Sequence, residues 1–230
     1  MRRSIAPTEN HLKARFLNEL RRTKRVRSST IVANELPLGN TGLRADLALY
    51  SRHFVGVEIK SDRDSLKRLS RQLPTYLDYF DKTILVLGSK HWQEAMSLDL
   101  TGVELWIASG LSLKRVQPGA VISQATNQGL LASATLQKKY QKSHETSATK
   151  SLFLTAFTQR FHVKSREFWE ATAGRPISAE DLTLLSRFVD KREQAAALVK
   201  SARKSHENWL EALAQSVQAS SVSIKDTSSS

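Results

Sequence analysis

Apolar positions along the first half of the chain follow two periods in turn. Leu12, Phe16, Leu17 and Leu20 recur at helical spacing, and Thr8 stands where a capping side chain belongs, so a helix is predicted over 8–22. Residues 30–36 then read as a strand, stopped by Pro37 and the turn Gly39-Asn40-Thr41-Gly42. Two more apolar runs, 44–50 and 54–60, are separated by Ser51-Arg52-His53 and predict a hairpin. From about Asp62 the helical period returns in Leu66, Leu69, Leu73 and Leu77. Residues 83–88 are continuously apolar, the mark of a strand covered on both faces. A short helix over 90–98 and a strand over 103–108 complete the pattern.

This order predicts an α/β fold, a mixed sheet flanked by helices, with the core occupying residues 1–117. Residues 118–150 are rich in Ser, Thr, Gln and Ala and read as a connecting segment with one helix near 129–142. Residues 151–219 read as an all-helical extension, broken at Gly174-Arg175-Pro176, with Ser178 and Asp181 as the cap pair of a helix running to about 202. Within it, Leu154, Phe157 and Phe161 precede Val163-Lys164-Ser165, and Phe168 and Trp169 follow. A helix-turn-helix would fit there and set Lys164 and Arg166 on a groove. A helical pair packed on the core, or on a second subunit in a homodimer, fits the same pattern better. Residues 220–230 are Ser-rich and read as a disordered tail.

Charge falls inside the apolar runs at three positions. Glu58 and Lys60, two apart on one predicted strand, share a face, while Val57 and Ile59 take the other. Asp46 lies on the neighbouring strand. Two carboxylates brought together repel unless one is protonated or both face a cation. A divalent ion answers that need, and oxygen ligands suit magnesium or manganese.

The bulk charge gives that cluster a substrate. The 230-residue chain carries a net charge of +13, which favours a polyanionic partner. Arg21, Arg22, Lys24, Arg25 and Arg27 place five cations in seven residues, a candidate nucleic-acid surface, and Arg44 beside Asp46 could meet a phosphate. No apolar stretch is long enough for a membrane span, and zero cysteines exclude a thiolate metal site and suit the cytoplasm. The histidines are scattered without metal-ligand spacing, and there is no phosphate-binding glycine loop.

Asp46, Glu58-Ile59-Lys60 and, twelve residues on, Gln72-Leu73-Pro74-Thr75-Tyr76 together resemble the PD-(D/E)XK nuclease superfamily. More narrowly, the run from Glu58 to Leu66 with Arg68-Leu69-Ser70-Arg71-Gln72 resembles small bacterial and phage members of that superfamily. The resemblance implies a restriction-endonuclease-like core and a magnesium-dependent nuclease acting on DNA, with RNA as an open alternative. It implies metal held by Asp46, Glu58 and the Ile59 carbonyl, with Lys60 as catalytic lysine and Gln72 as a supporting polar group. Glu9 in the first helix and Glu35 on the first strand are further candidate acids. Tyr76 is a weaker one, because Pro74 predicts a kink between it and Gln72. The competing expectation is a protein that binds nucleic acid, or serves assembly, on the same fold without cutting.

Overall fold

The computed structural model describes residues 7–39, 41–110, 112–122 and 146–186. Helix α1 (Glu9–Arg22) begins at Thr8, whose hydroxyl oxygen accepts the His11 amide at 3.4 Å. Strands β1 (Ile31–Pro37), β2 (Arg44–Tyr50) and β3 (Phe54–Lys60) form an antiparallel meander. Helix α2 (Leu69–Tyr79) crosses to β4 (Lys82–Gly88), parallel to β3. A 3-10 turn (Ser89–His91) and the short helix α3 (Trp92–Ala95) lead to β5 (Glu104–Ser109), parallel to β4. Strand β6 (Ser112–Gln117) returns antiparallel, and the sheet order is β1-β2-β3-β4-β5-β6.

The mixed sheet flanked by helices is thus present, with one strand beyond those predicted. Strand β6 carries Lys114 and Arg115 and lacks an apolar run, so its sequence gives no strand signal. It forms because Gly110, at φ 54°, allows a tight return onto β5.

Each face of the sheet holds its own core. Leu12, Phe16 and Leu17 of α1 pack on Val32, Leu47, Val57, Ile59 and Val86. On the other face Phe54, Tyr76, Tyr79 and Phe80 form an aromatic layer. Gly56 makes that layer possible, since a Cβ there would lie 2.1 Å from a Phe80 ring carbon.

Helix α4 (Thr146–Ala171) is continuous through the expected turn at 163–165, which excludes the helix-turn-helix. The Ser165 hydroxyl bonds to the Phe161 carbonyl at 2.8 Å within the helix, and its oxygen accepts the Val32 amide at 2.8 Å. Residues 163–165 are therefore the middle of a helix tied to β1. Phe153, Phe157 and Phe161 join the aromatic face, while Phe168 and Trp169 join the α1 face, so α4 lies along the β1 edge.

Three other helices differ from expectation. Helix α2 starts at Leu69 because the Asp64 carboxylate holds the Ser61 amide at 2.7 Å and closes a turn before it. The helix expected over 90–98 contracts to Trp92–Ala95. After Gly174 and Pro176, Asp181 accepts the Ser178 amide at 2.8 Å, as a cap residue would, yet among the described residues, which end at 186, the turn that follows is a six-residue 3-10 one (Glu180–Leu185). Arg175 pairs with both oxygens of Asp181 and competes for that cap. The helix near 129–142, the segment beyond 186 and the tail at 220–230 lie outside the described residues. Among those described, no helix is long and apolar enough to cross a membrane.

A buried ion cluster ties the turn after α1 to the sheet. Glu104 on β5 is fully buried and accepts from Arg25 at 2.7 and 3.1 Å, from Lys82 at 2.5 Å and from the Trp106 indole at 2.6 Å. Burial alone would raise its pKa, but these donors hold it below the usual carboxylate range. A group depressed in the folded state stabilises above its unfolded pKa and loses that contribution as pH falls through the folded one. Glu104→Gln is expected to cost about 3 kcal/mol at neutral pH, because Arg25 and Lys82 lose their counter-charge. Urea unfolding from pH 7 to pH 3 checks this: the deficit of the variant narrows as the pH falls.

Candidate active site

Backbone pairing places three acids side by side. The β1–β2 register aligns Glu35 with Asp46, between the pairs Asn34–Leu47 and Leu36–Ala45. The β2–β3 ladder stops at Leu47–Val57, one step before Asp46 would face Glu58. The pairing is thus interrupted at the level of the acids. Glu35 adopts φ 55°, a left-handed conformation that a non-glycine residue takes only at a cost. Face alternation slips there: Ala33 and Leu36, three apart, lie in one cluster, as do Ala45 and Ala48. The Asp46 side chain takes over the missing ladder bond, its Oδ2 accepting the Ile59 amide at 2.6 Å.

Two groups of polar side chains meet at Asp46. On the α1 side, Lys13 is fully buried, and its Nζ lies 2.7 Å from Glu9, 2.5 Å from Glu35 and 3.1 Å from the Asn34 amide oxygen. Glu9, Glu35 and Asp46 each offer an oxygen within 4.8 Å of the others. On the α2 side, Glu58 is 1% exposed and bonded on both oxygens. Its Oε1 accepts from Lys60 Nζ and, at 2.8 Å, from Gln72 Nε2, and its Oε2 accepts from the Tyr76 hydroxyl. The Gln72 Oε1 is buried and has no hydrogen-bond partner among the described residues.

The charges explain the titration shifts. Burial first, then Glu58, pushes the Asp46 carboxyl well above the usual carboxylate range, against the pull of Lys13. Burial alone would lower the Lys13 pKa, but Asp46 and the bonds to Glu35 and Glu9 outweigh it and raise it. The Tyr76 hydroxyl is driven well above the usual phenol range by burial, then by Glu58 and Asp46, so it remains a donor.

The expected set Asp46, Glu58, Lys60 and Gln72 is therefore gathered at one place, and Tyr76 joins it. Pro74 lies inside α2, forgoing one amide bond, yet Gln72 and Tyr76 still reach the same carboxylate. Glu9 and Glu35 reach Asp46 rather than Glu58. Ile59 meets Asp46 through its amide. The basic run divides. Arg21 bonds to the Thr172 and Arg175 carbonyls, Arg22 to Glu19, and Arg25 to Glu104, leaving Lys24 and Arg27 without such partners among the described residues. Arg44 is exposed and lies 3.9 Å from Glu35.

Two buried groups escaped the sequence reading. Lys13 sits inside the apolar arc of α1, four residues after Glu9, and that placement was its available signal. His91, buried after β4, holds the Ser61 carbonyl at 2.9 Å and carries no spacing that marks it.

The donors fit a hard divalent cation. Glu9, Glu35 and Asp46 bring three carboxylates to one place with the buried ammonium of Lys13 among them, and Glu58 stands beside them with both oxygens bonded to protein donors. All the available ligand atoms are oxygens, as magnesium and manganese require.

Fold and site thus define an α/β protein with a carboxylate–lysine cluster where two antiparallel strands part. The family model for bacteriophage P4 protein cII matches residues 3–186, and the chain belongs to that family. Protein cII of Enterobacteria phage P4 is 30% identical over 187 residues, covering 70% of this chain and 71% of the phage protein. Among solved structures, a protein of unknown function from Silicibacter pomeroyi is similar at 17% identity and a TM-score of 0.38, over 60% of this chain and 90% of that one.

Because its folded pKa is raised, ionised Asp46 costs stability, and the cost grows as pH rises from its unfolded value of 3.8 through the folded one. Asp46→Asn, which can still accept the Ile59 amide, is expected to melt higher than the parent at pH 7 in chelator. Melting curves at pH 7 and below pH 4 check this: the gain should shrink towards zero at the lower pH.

Proposed function

We propose that the protein is a metal-dependent nuclease of the PD-(D/E)XK type, hydrolysing phosphodiester bonds of DNA. The observation that carries this reading is the convergence of Asp46, Glu58, Lys60 and Gln72 from β2, β3 and α2 on one buried cluster. Magnesium or manganese, when bound, would lower the pKa of a water and offset charge growing on the scissile phosphate. Asp46, anchored through one oxygen by the Ile59 amide, would hold the ion together with Glu58, Glu35 and Glu9. Glu58 aims Lys60, whose ammonium orients the attacking water or holds a phosphate oxygen. Gln72 fixes Glu58 with its amide nitrogen and offers its unpartnered Oε1 to the water proton. Tyr76 stays protonated and holds the second Glu58 oxygen.

A second reading, a protein that binds nucleic acid on this fold without cutting it, draws on one specific observation. Both Glu58 oxygens are engaged by protein donors, and Lys13 already neutralises part of the acid cluster.

Purified protein with magnesium or manganese, offered linear, nicked, supercoiled and single-stranded DNA, separates the two. Cleavage is expected, with Asp46→Ala lower by about a thousandfold or more, as for a lost metal ligand. Gln72→Ala is expected to lose roughly 10–100-fold, the range for a group supporting metal ligands. If the parent cuts no substrate, or Asp46→Ala cuts as well as the parent, the nuclease reading fails. Calorimetry gives an independent readout: magnesium binding is expected in the parent and absent in Asp46→Ala.

A further inference from the structure

The run at 21–27 holds the densest positive charge in the sequence, yet three of its five cations are already bonded within the chain: Arg21 and Arg25 to distant segments, and Arg22 to Glu19 on the surface of α1. A different segment keeps its charge free. Arg63, Lys67, Arg68 and Arg71 are all exposed, and among the described residues none makes a side-chain hydrogen bond or ion pair. They lie between Lys60 and Gln72, joining the strand that carries the cluster's lysine to the helix that carries its amide.

The segment's own acids do not neutralise these cations. Asp64 turns back to the Ser61 amide and hydroxyl. Asp62 accepts the Lys90 amide at 3.0 Å, at the end of β4. The segment also rests on built supports. Gly88 lets it approach β4, since a Cβ there would lie 2.7 Å from the Asp62 backbone nitrogen. Leu66, Leu69 and Leu73 are buried with Leu85, Leu87 and Leu105. With the leucines inward, Arg68 at the N-cap of α2 and Arg71, three residues on, fall on one side of the helix, and Lys67 is exposed in the turn before it. The segment leaves the carboxyl end of β3, at the edge of the parallel β3–β4–β5 strands where open α/β sheets receive ligands.

We infer that Arg63, Lys67, Arg68 and Arg71 form the phosphate-binding rim of the site, gripping the DNA backbone beside Lys60. The choice of DNA rests on the nuclease reading, whereas the rim rests on the free cations and their supports. The guanidinium groups match phosphate oxygens in pairs, and Lys67 adds a point charge. Contacts of this kind position the nucleic acid without reading its bases, so the rim gives affinity and little sequence preference.

The test is duplex DNA binding by fluorescence anisotropy in chelator, where no cleavage can occur, across a salt series. Compared are the parent, the quadruple variant Arg63→Gln, Lys67→Gln, Arg68→Gln, Arg71→Gln, and the control Lys24→Gln, Arg27→Gln. Each lost phosphate contact removes roughly one unit of the slope of log affinity on log salt, so the quadruple variant is expected to lose about three to four units. Its affinity at low salt should fall at least about tenfold, with the control close to the parent. All six positions are exposed, and matching thermal melts establish that folding is intact. A quadruple variant with the parent's affinity and slope overturns the rim, and so does a control that loses more than the quadruple variant. A parent that binds through the rim yet never cuts with manganese overturns the nuclease reading and leaves the rim standing.

Discussion

One hydrogen bond, from the Ile59 amide to the Asp46 carboxylate, governs the site. Where β2 and β3 cease to pair, an amide would be left without its ladder partner, and a buried amide without a partner is costly. Asp46 supplies that partner from its side chain and is thereby fixed in orientation and depth. The same substitution of side chain for backbone opens the gap between the strands. A regular ladder at this level would set Asp46 directly against Glu58 on neighbouring strands, a repulsive pair. The irregular one lets Asp46 stand between two polar groups, one built by α1 and β1, the other by β3 and α2.

Those two groups solve the same electrostatic problem in different ways. On the α2 side, neutral donors and Lys60 satisfy Glu58 almost completely. On the α1 side, Lys13 alone serves Glu9 and Glu35 and also offsets Asp46. A buried lysine gains stability only when its hydration is replaced by bonds to acceptors, and here two carboxylates and an amide oxygen replace it. The strained backbone at Glu35 is the local expense of that arrangement. Membership in the P4 protein cII family extends across the sheet, α4 and the segment that follows it, to residue 186.

Much of this was legible in the sequence because the relevant signals are local. The strands at 44–50 and 54–60 could be read to the residue, since apolar runs bounded by turn residues fix both ends. Asp46, Glu58 and Lys60 stood out because charges inside such runs conflict with burial. What stayed hidden depends on distant partners. Lys13 looks like an ordinary helix lysine until β1 arrives beside it. Arg21 and Arg25 look like surface charge until Thr172 and Glu104, far along the chain, claim them. The turn expected at 163–165 followed from a Val, a Lys and a Ser, weak helix evidence that packing on β1 overrides. Strand β6 has no pattern of its own and exists because β5 offers it an edge.

That edge has a counterpart at the other side of the sheet, where β1 would otherwise present unpaired amides and carbonyls. Ser165 meets the Val32 amide and, one helical turn later, the Trp169 indole donates to the Thr30 carbonyl at 2.7 Å. Two side chains of a helix thus do what a seventh strand would do, without offering a further edge in turn. A bare strand edge is a template for intermolecular β-pairing and fibre growth. With α4 in place the Val32 amide and the Thr30 carbonyl are already taken, so the helix that looked like an appendage in the sequence closes this stretch of the β1 edge to a neighbour's strand.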